Sequence, residues 1–508
     1  MDPINKVYDV AIIGSGTLSQ VCAALSQCYG LDTALIKNYE VTKVDYDSLM
    51  LDDETMRLLN SIGILEQIKS HIYSPYFTDL ILPSGKVIQR NLVSKTNNGY
   101  FQINFINQNL LKRSLTQKLN ETPGLCILEK SELINFDYID DIYELNLKID
   151  KKLTFLKARH LVVCEEVQSI INKFPTSIND LKYNKDWLIT DITTDKNDIL
   201  ESAFRQVCDP QRPTTQIVTS ENTCRFEFQL LAGENKDYFS NSDTVKKLLE
   251  PFLGDNEYFI NNFFIKNFKG YYCNKIKFGR VFLAGDAAHK IPPFAGHNFN
   301  AGIRDIINII WKLSLHCNNS IFKSIIDTYE SERLIQIKET IKSSIALGQL
   351  IDSMSIAYQK DISFEESIPP EAREQAFGDK SIAAQSWISN GLYHSDLDDS
   401  LLTKRIPKIK LKKDGVEYEI DDILDFNFAI ITKHAFEEKL LILKLQPAKK
   451  LKIKVINLSD YVYKNDFLRD LLDDGDILVR PDKKIFGISS LDLPIDKLLD
   501  DLLSQLSK

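Results

Sequence analysis

The 508-residue chain has no CxxC pair, no HExxH-type histidine cluster, no apolar run of membrane-spanning length and no excess of basic charge. Each absence removes a class of protein. The eight cysteines (Cys22, Cys28, Cys126, Cys164, Cys208, Cys224, Cys273 and Cys317) are irregularly spaced. That argues against a disulfide framework or a structural zinc site, and reduced thiols are the expectation. The seven histidines are scattered, so no metal motif is read and no metal is expected. A membrane helix needs roughly 18–20 consecutive apolar residues, so no membrane span is expected. The start, MDPINKVYDVAIIGSG, has a short apolar stretch without a basic flank that runs into a glycine turn. It is not read as a secretory leader, and a cytoplasmic location is expected. With 62 Lys+Arg against 71 Asp+Glu the net charge is −9, which argues against a nucleic-acid partner but leaves a small anionic substrate open.

What is present is ordinary globular composition, 44% hydrophobic and 26% charged, so disorder is excluded as the main state. At roughly 100–200 residues per domain, the length suggests about three or four domains. Val7 to Ile13 reads as a strand, Gly14-Ser15-Gly16 as a tight turn and Leu18 to Tyr29 as a helix ended by Gly30. Thr33 to Ile36 is a second strand, and this βαβ opening implies a parallel sheet. Asp53 to Ile68 reads as one amphipathic helix and Gln108 to Leu119 as another. From Asp79 to Phe105 and from Trp187 to Phe264, short β-rich runs alternate with turns, which suggests an inserted antiparallel sheet. A β meander follows Ile127, and KARHLVVC reads as a buried strand. Ala301 to His316 carries Ile303, Ile306, Ile307, Ile310 and Leu313 at helical spacing, and helix continues from Ile321 to about Ala357. A boundary is expected near Ser395 to Lys404, followed by a small α/β unit. No internal repeat is found.

Two motifs carry chemistry. In Gly14-Ser15-Gly16-Thr17-Leu18-Ser19 the first glycine of a dinucleotide fingerprint makes the turn and the second admits the pyrophosphate. The helix start then faces the phosphates. Ser19 stands at the third glycine, where a small residue lets helix and strand pack. The stronger motif is RVFLAGDAAHKIPPFAGHNFNAGIRDIINIIWKL, Arg280 to Leu313. It resembles the second flavin-binding motif of the FAD-dependent aromatic hydroxylases of the p-hydroxybenzoate hydroxylase type. The resemblance extends through Leu49 to Leu65 and through Gln206 to Glu234, which look like the 3-(3-hydroxyphenyl)propionate hydroxylase branch. Asp476 to Ile488 is similar to the thioredoxin-like C-terminal domain of that branch. That domain has no cysteine here, the last being Cys317, so thiol redox chemistry is excluded there and a structural or oligomer-contact role is expected.

The resemblance implies an α/β fold: a Rossmann-like FAD-binding domain, an inserted antiparallel β-sheet substrate domain and a thioredoxin-like tail. The expected boundaries are 1–78, 106–185 and 265–345 for the FAD-binding domain and 79–105 with 186–264 for the inserted sheet. A helical connection over 346–400 and the tail over 401–508 complete the chain. Expected cofactor contacts are Gly14, Gly16, Thr17, Gln108, Gly285, Asp286, Pro293, Gly296, Asn298, Phe299 and Asn300. Asp286 would accept a hydrogen bond from the flavin ribityl chain, and Pro292-Pro293 would flank the ring. The helix start after Gly296 would favour negative charge on the reduced ring. The implied reaction uses FAD, NADH or NADPH, and O₂ to hydroxylate a small phenolic substrate by way of a flavin C4a-hydroperoxide. The substrate would sit near Pro292 and Phe294. Arg225, Tyr100 and His297 are candidate bases by residue type only. The resemblance allows a homodimer.

The chain departs from the family pattern in the cofactor shell. Lys37 stands where an acid accepts the adenosine ribose hydroxyls, and a lysine has no acceptor. Asp47 replaces an arginine near the pyrophosphate, Glu165-Glu166 replace an Asp-Gly pair of which only the later Ser169 survives, and Asn298 replaces a flavin-edge glycine. Local readings exist for each: Lys37 turned to solvent with Asn38 accepting, Asp47 paired with Lys43, Asn298 at positive φ. Losing an acceptor and exchanging a cation for an anion each cost on the order of 1–3 kcal/mol, together roughly a hundredfold in affinity. The alternative function is therefore a degenerate member with weak or lost FAD binding that acts as a scaffold. A third possibility keeps the flavin for a dehydrogenase-type reaction or for a non-phenolic substrate.

Overall fold

The computed structural model describes residues 6–38, 48–150, 152–174, 176–195, 204–209, 211–220, 222–318, 322, 324–360, 391–398, 400–402, 404–434, 451 and 453–507. Val7–Ile13 is the central strand of a sheet, flanked in parallel by Thr33–Ile36 and by Lys152–Val163. Cys126–Leu128 and Val281–Leu283 extend the parallel set on the two sides. Val10, Ala11 and Ile12 are fully buried, the unalternating pattern of a strand covered on both faces. The helices Thr17–Cys28 and His297–Asn318 pack together over this sheet. The periodic residues Ile303, Ile306, Ile307, Ile310 and Leu313 are all buried there. A hairpin, Ser131–Ile139 with Ile142–Ile149, continues antiparallel into Lys152–Val163.

The helix expected over Asp53 to Ile68 is two pieces, Asp53–Ser61 and Leu65–Ile68. Gly63 sits between them at φ +72°, a conformation glycine adopts without steric cost and an α-helix cannot contain.

The second sheet has eight strands. It runs from His289–Lys290 through Phe259–Cys273, Ile178–Thr193, Thr223–Gln229, Thr214–Ser220, Phe204–Val207 and Phe77–Ile81 to Val87–Leu92. One pairing differs from the antiparallel expectation. Phe204–Val207 runs parallel to Phe77–Ile81. Those strands come from distant segments, so no hairpin turn imposes an antiparallel sense. Helix Ser242–Leu253 covers one face, setting Val245, Leu249 and Leu253 against Phe226 and Phe228.

Helix Thr328–Lys360 is continuous; most of the expected connection beyond it lies outside the described residues. The C-terminal unit has a four-stranded sheet in the order Lys454–Asn457, Ala429–Thr432, Ile477–Val479, Ile485–Ile488. Helices Asp466–Asp474 and Ile495–Ser507 accompany it, and its core includes Leu411, Ile431, Leu468 and Val479. Buried ion pairs lock it to the first domain. Arg57 binds Asp421 through two nitrogens, and Arg480 reaches Glu332 at 3.1 Å, which also pairs with Lys312 at 3.0 Å.

Candidate functional site

The site begins at the first strand–helix turn. A Cβ on Gly14 would lie 3.0 Å from Ser19 Cβ and 3.3 Å from Cys164 Cβ, so a side chain there would press helix and sheet apart. Ser19 is accommodated because its single hydroxyl proton has the carbonyls of Gly14 and Gly16 as acceptors, at 2.8 and 2.7 Å. A Cβ on Gly16 would meet nothing within 4 Å, since that glycine faces an open cavity. Gln108, the first residue of helix Gln108–Asn120, donates to Thr17 Oγ1 at 3.3 Å.

The second wall is the Gly285-Asp286 turn. Gly285 has φ +54°, and a Cβ there would overlap Leu18. The turn is held from below by Asp305, which is fully buried. Its Oδ2 accepts from the Gly285 amide and meets His289 Nε2, each at 2.9 Å. Its Oδ1 accepts from Arg333 Nε at 2.7 Å. Burial pushes the Asp305 carboxyl up, but Arg333 and His289 pull it down further, to below its ordinary value.

Asp286 accepts from Asn298 Nδ2 at 2.9 Å and pairs with Lys290 at 2.7 Å. Burial raises this carboxyl, and Lys290, Asn298 and His289 more than offset it. Asn298 lies in helix His297–Asn318 and is not among the positive-φ residues, which corrects the left-handed reading. Its amide is a clamp, for Oδ1 also accepts from the Ile291 amide at 3.2 Å. Gly296 keeps φ +58°, with Met50 closing the space a Cβ would need. Asn300 is buried and donates to the carbonyls of Met50 and Gly296, at 3.0 and 3.1 Å.

Pro292 and Pro293 lead into Phe294, whose ring sits edge-on to Tyr183 and Trp187. The Ser344 hydroxyl donates to the carbonyls of Pro292 and Phe294, both at 3.2 Å. One cavity of about 740 Å³ joins these parts. Its lining takes Gly16, Thr17, Gln108 and Asp286 from the parallel-sheet domain, Pro292, Pro293, His297, Asn298 and Phe299 from the double-proline turn and the helix after it, and Trp187, Phe204, Ile217 and Phe268 from the inserted sheet. The size matches a cofactor or substrate pocket, typically about 300–1,000 Å³.

The departing residues have defined places. The Lys37 ammonium pairs with the exposed Glu129 carboxylate at 3.0 Å, a contact at the protein surface. The Asn38 carbonyl accepts from the Ser15 hydroxyl at 3.0 Å. Asp47 and Lys43 lie outside the described residues. Glu165 Oε2 accepts from the Ser15 amide at 2.9 Å. Burial and the Asp286 charge push its carboxyl up, against the pull of the Ser15 amide and Lys112. Glu166 accepts from the Tyr271 hydroxyl at 2.7 Å, and Ser169 donates to the Leu133 carbonyl at 2.9 Å.

Of the three candidate bases, two reach the cavity. Arg225 is buried and holds Asp191 through two bonds of 2.7 and 2.9 Å, which suits it to orient rather than to take a proton. His297 lines the cavity; burial and Arg304 push its imidazole down to about 4 against the opposing charge of Asp52, so it is neutral near pH 7. Tyr100 is elsewhere, beside Lys408 of the C-terminal unit. Sequence reasoning missed the Gln206–Thr215 pair (2.8 Å) and Lys112, all on the cavity wall. Alternation along the two short strands was the available signal for the pair. Among the described residues there is no cluster of three or more His, Cys, Asp or Glu fit for a metal, and no helix long and apolar enough to cross a membrane.

The donor set fits a flavin dinucleotide at the glycine turn and the ribityl wall. Gly16 is open, and each Asp286 oxygen keeps a lone pair beyond its present bond. The adenosine end offers no acceptor at Lys37.

Fold and cavity define a class: an α/β protein with a dinucleotide-type glycine turn and a second sheet inserted over the cleft. The chain belongs to the FAD binding domain family, whose model matches residues 7–344. It is 27% identical over 354 residues to a 3-(3-hydroxy-phenyl)propionate/3-hydroxycinnamic acid hydroxylase of Shigella sonnei (strain Ss046), covering 68% of this chain and 63% of that protein. The match thus spans less than two thirds of the curated relative's length. Solved structures share the fold over 99% of both chains. The flavin-dependent monooxygenase PieE, in complex with FAD and substrate, matches at TM-score 0.80 and 16% identity. Aklavinone-11 hydroxylase, with FAD and aklavinone, matches at TM-score 0.80 and 15% identity.

Proposed function

We propose that the protein is an FAD-dependent monooxygenase that hydroxylates a small phenolic or other aromatic molecule at the expense of NADH or NADPH and O₂. The observation that carries this reading is the single cavity joining the glycine turn, the Asp286 wall, the double proline and the inserted sheet. Gly16 and Asp286 would hold the dinucleotide, Pro292 and Pro293 would flank its ring, and the aromatic side chains of the inserted sheet suit a planar partner. Bound flavin supplies the two-electron and oxygen chemistry.

The chain's own work is binding, orientation and exclusion of water. Gly16 leaves room for the diphosphate, and Gln108 braces Thr17 beside it. Asp286, held ionised by Lys290 and Asn298, accepts a ribityl hydroxyl. Phe294, Trp187 and Phe268 shield the cavity from solvent. The neutral His297 donates or accepts one hydrogen bond without adding charge. Arg225, fixed by Asp191, offers a positive field to a phenolate. FAD-binding, inserted-sheet and thioredoxin-like units over the stated boundaries complete this reading.

The test is NADH or NADPH oxidation by FAD-loaded protein with a panel of phenols, read with product mass. Stimulated oxidation with gain of one oxygen atom in the product is expected. Oxidation that no aromatic compound stimulates contradicts the hydroxylase reading and leaves a dehydrogenase-type one. The scaffold reading draws on Lys37, whose ammonium is committed to Glu129; it requires that the folded protein stay colourless with excess FAD.

A further inference from the structure

We propose that Lys112 supplies the positive charge that receives the cofactor diphosphate, in place of the arginine that the family pattern has at the position of Asp47. The inference rests on the FAD reading above.

Lys112 lies one helical turn beyond Gln108 in Gln108–Asn120, and residues four apart share a helix face. Gln108 touches Thr17 at the glycine turn, and Gln108 and Lys112 both line the cavity there. The electrostatics agree with this placement. Lys112 acts on Glu165, pulling its carboxyl down, and Glu165 is bonded to the Ser15 amide within the turn itself.

Charge balance favours a cation at this end of the cavity. A diphosphate entering this end meets Glu165, Glu166 and Asp286 on the walls, and backbone amides alone carry only partial charge. The other cations lining the cavity differ from Lys112 in position: Lys290 belongs to the Asp286 wall, and Arg225, Lys266 and Lys269 to the inserted sheet. Lys112 is the lining cation that the parallel-sheet domain places at the turn. A lysine binds phosphate as a point charge, so arginine substitutes for it at this site and a neutral side chain does not.

The experiment is fluorescence titration of the full chain with FAD and, separately, with riboflavin, which lacks the diphosphate. Wild type, Lys112→Met and Lys112→Arg are compared after circular dichroism confirms equal folding. Lys112→Met is expected to weaken FAD by about 10- to 100-fold, the loss of one charge-assisted contact. Lys112→Arg is expected to recover most of that loss, and riboflavin to bind all three proteins alike. Unchanged FAD affinity in Lys112→Met, or equal losses for FAD and riboflavin, overturns the assignment to Lys112. Wild type that binds no FAD overturns the cofactor reading itself, and the assignment with it.

Discussion

Removing the Asp305 carboxylate tests how the Asp286 wall is built. Asp305 is fully buried, as is His289, and Arg333 is 2% exposed. Asp305→Ala deletes the acceptor for the Gly285 amide and for His289, and leaves the Arg333 guanidinium with the Ala301 carbonyl at 3.3 Å. Breaking one side of a buried ion pair costs about 3–5 kcal/mol, because the remaining charge is left uncompensated in a dry interior. For a domain of some 150–250 residues, each kcal/mol lowers Tm by about 2–4 °C. The expected fall is therefore about 6–20 °C, read by thermal unfolding at pH 7. Asp305→Leu with Arg333→Met removes both charges, and this double variant is expected to be more stable than Asp305→Leu alone. FAD affinity should fall in Asp305→Ala as well, since the Gly285 amide that Asp305 fixes begins the turn carrying Asp286. A variant melting within about 2 °C of wild type, or a double variant less stable than Asp305→Leu, refutes the argument that this triad holds the turn.

Gly16→Ala should leave Tm close to that of wild type, because a Cβ at Gly16 meets nothing within 4 Å, yet weaken FAD binding by intruding on the cavity; unchanged FAD affinity in a titration would contradict the placement. Arg57→Met should cost about 1–3 kcal/mol, since it removes two bonds to the buried Asp421 carboxylate and leaves it Lys483 at 3.5 Å. Limited proteolysis should then release the C-terminal unit faster than in wild type. The Glu165 carboxyl is raised by burial, so the fold favours its protonated form, and that stabilisation is lost as pH climbs from the ordinary carboxylate range through the raised folded value. Glu165→Gln removes this loss, so its advantage in Tm over wild type should grow between about pH 4 and pH 7; a constant difference across that range would contradict it.

The local part of the site was legible in the sequence. The strand, glycine turn and helix from Val7 to Cys28 carry their own periodicity and punctuation. The resemblance of the GDAAHKIPP segment to a flavin-binding motif is what singled out Asp286 and Pro292. What escaped were roles set by tertiary neighbours. Asn298 reads as a damaged glycine position, yet its amide clamps Asp286 to Ile291. Lys37 reads as solvent-directed, and its partner at the surface, Glu129 at the end of the adjacent strand, is set by strand pairing. Tyr100 matched a base by residue type, and only the docking of the C-terminal unit shows that it faces Lys408. The parallel pairing of Phe204–Val207 with Phe77–Ile81 joins segments more than a hundred residues apart, and no periodicity within either strand encodes its partner's direction.

The central claim is that this cavity holds a flavin dinucleotide despite the acids at its wall. The most direct measurement is a visible-absorption titration of the purified, folded protein with FAD, followed by removal of unbound ligand. A yellow protein that retains about one FAD per chain, with the twin bands of oxidised flavin shifted from those of the free cofactor, is the predicted result. A folded protein that stays colourless after excess FAD would contradict it.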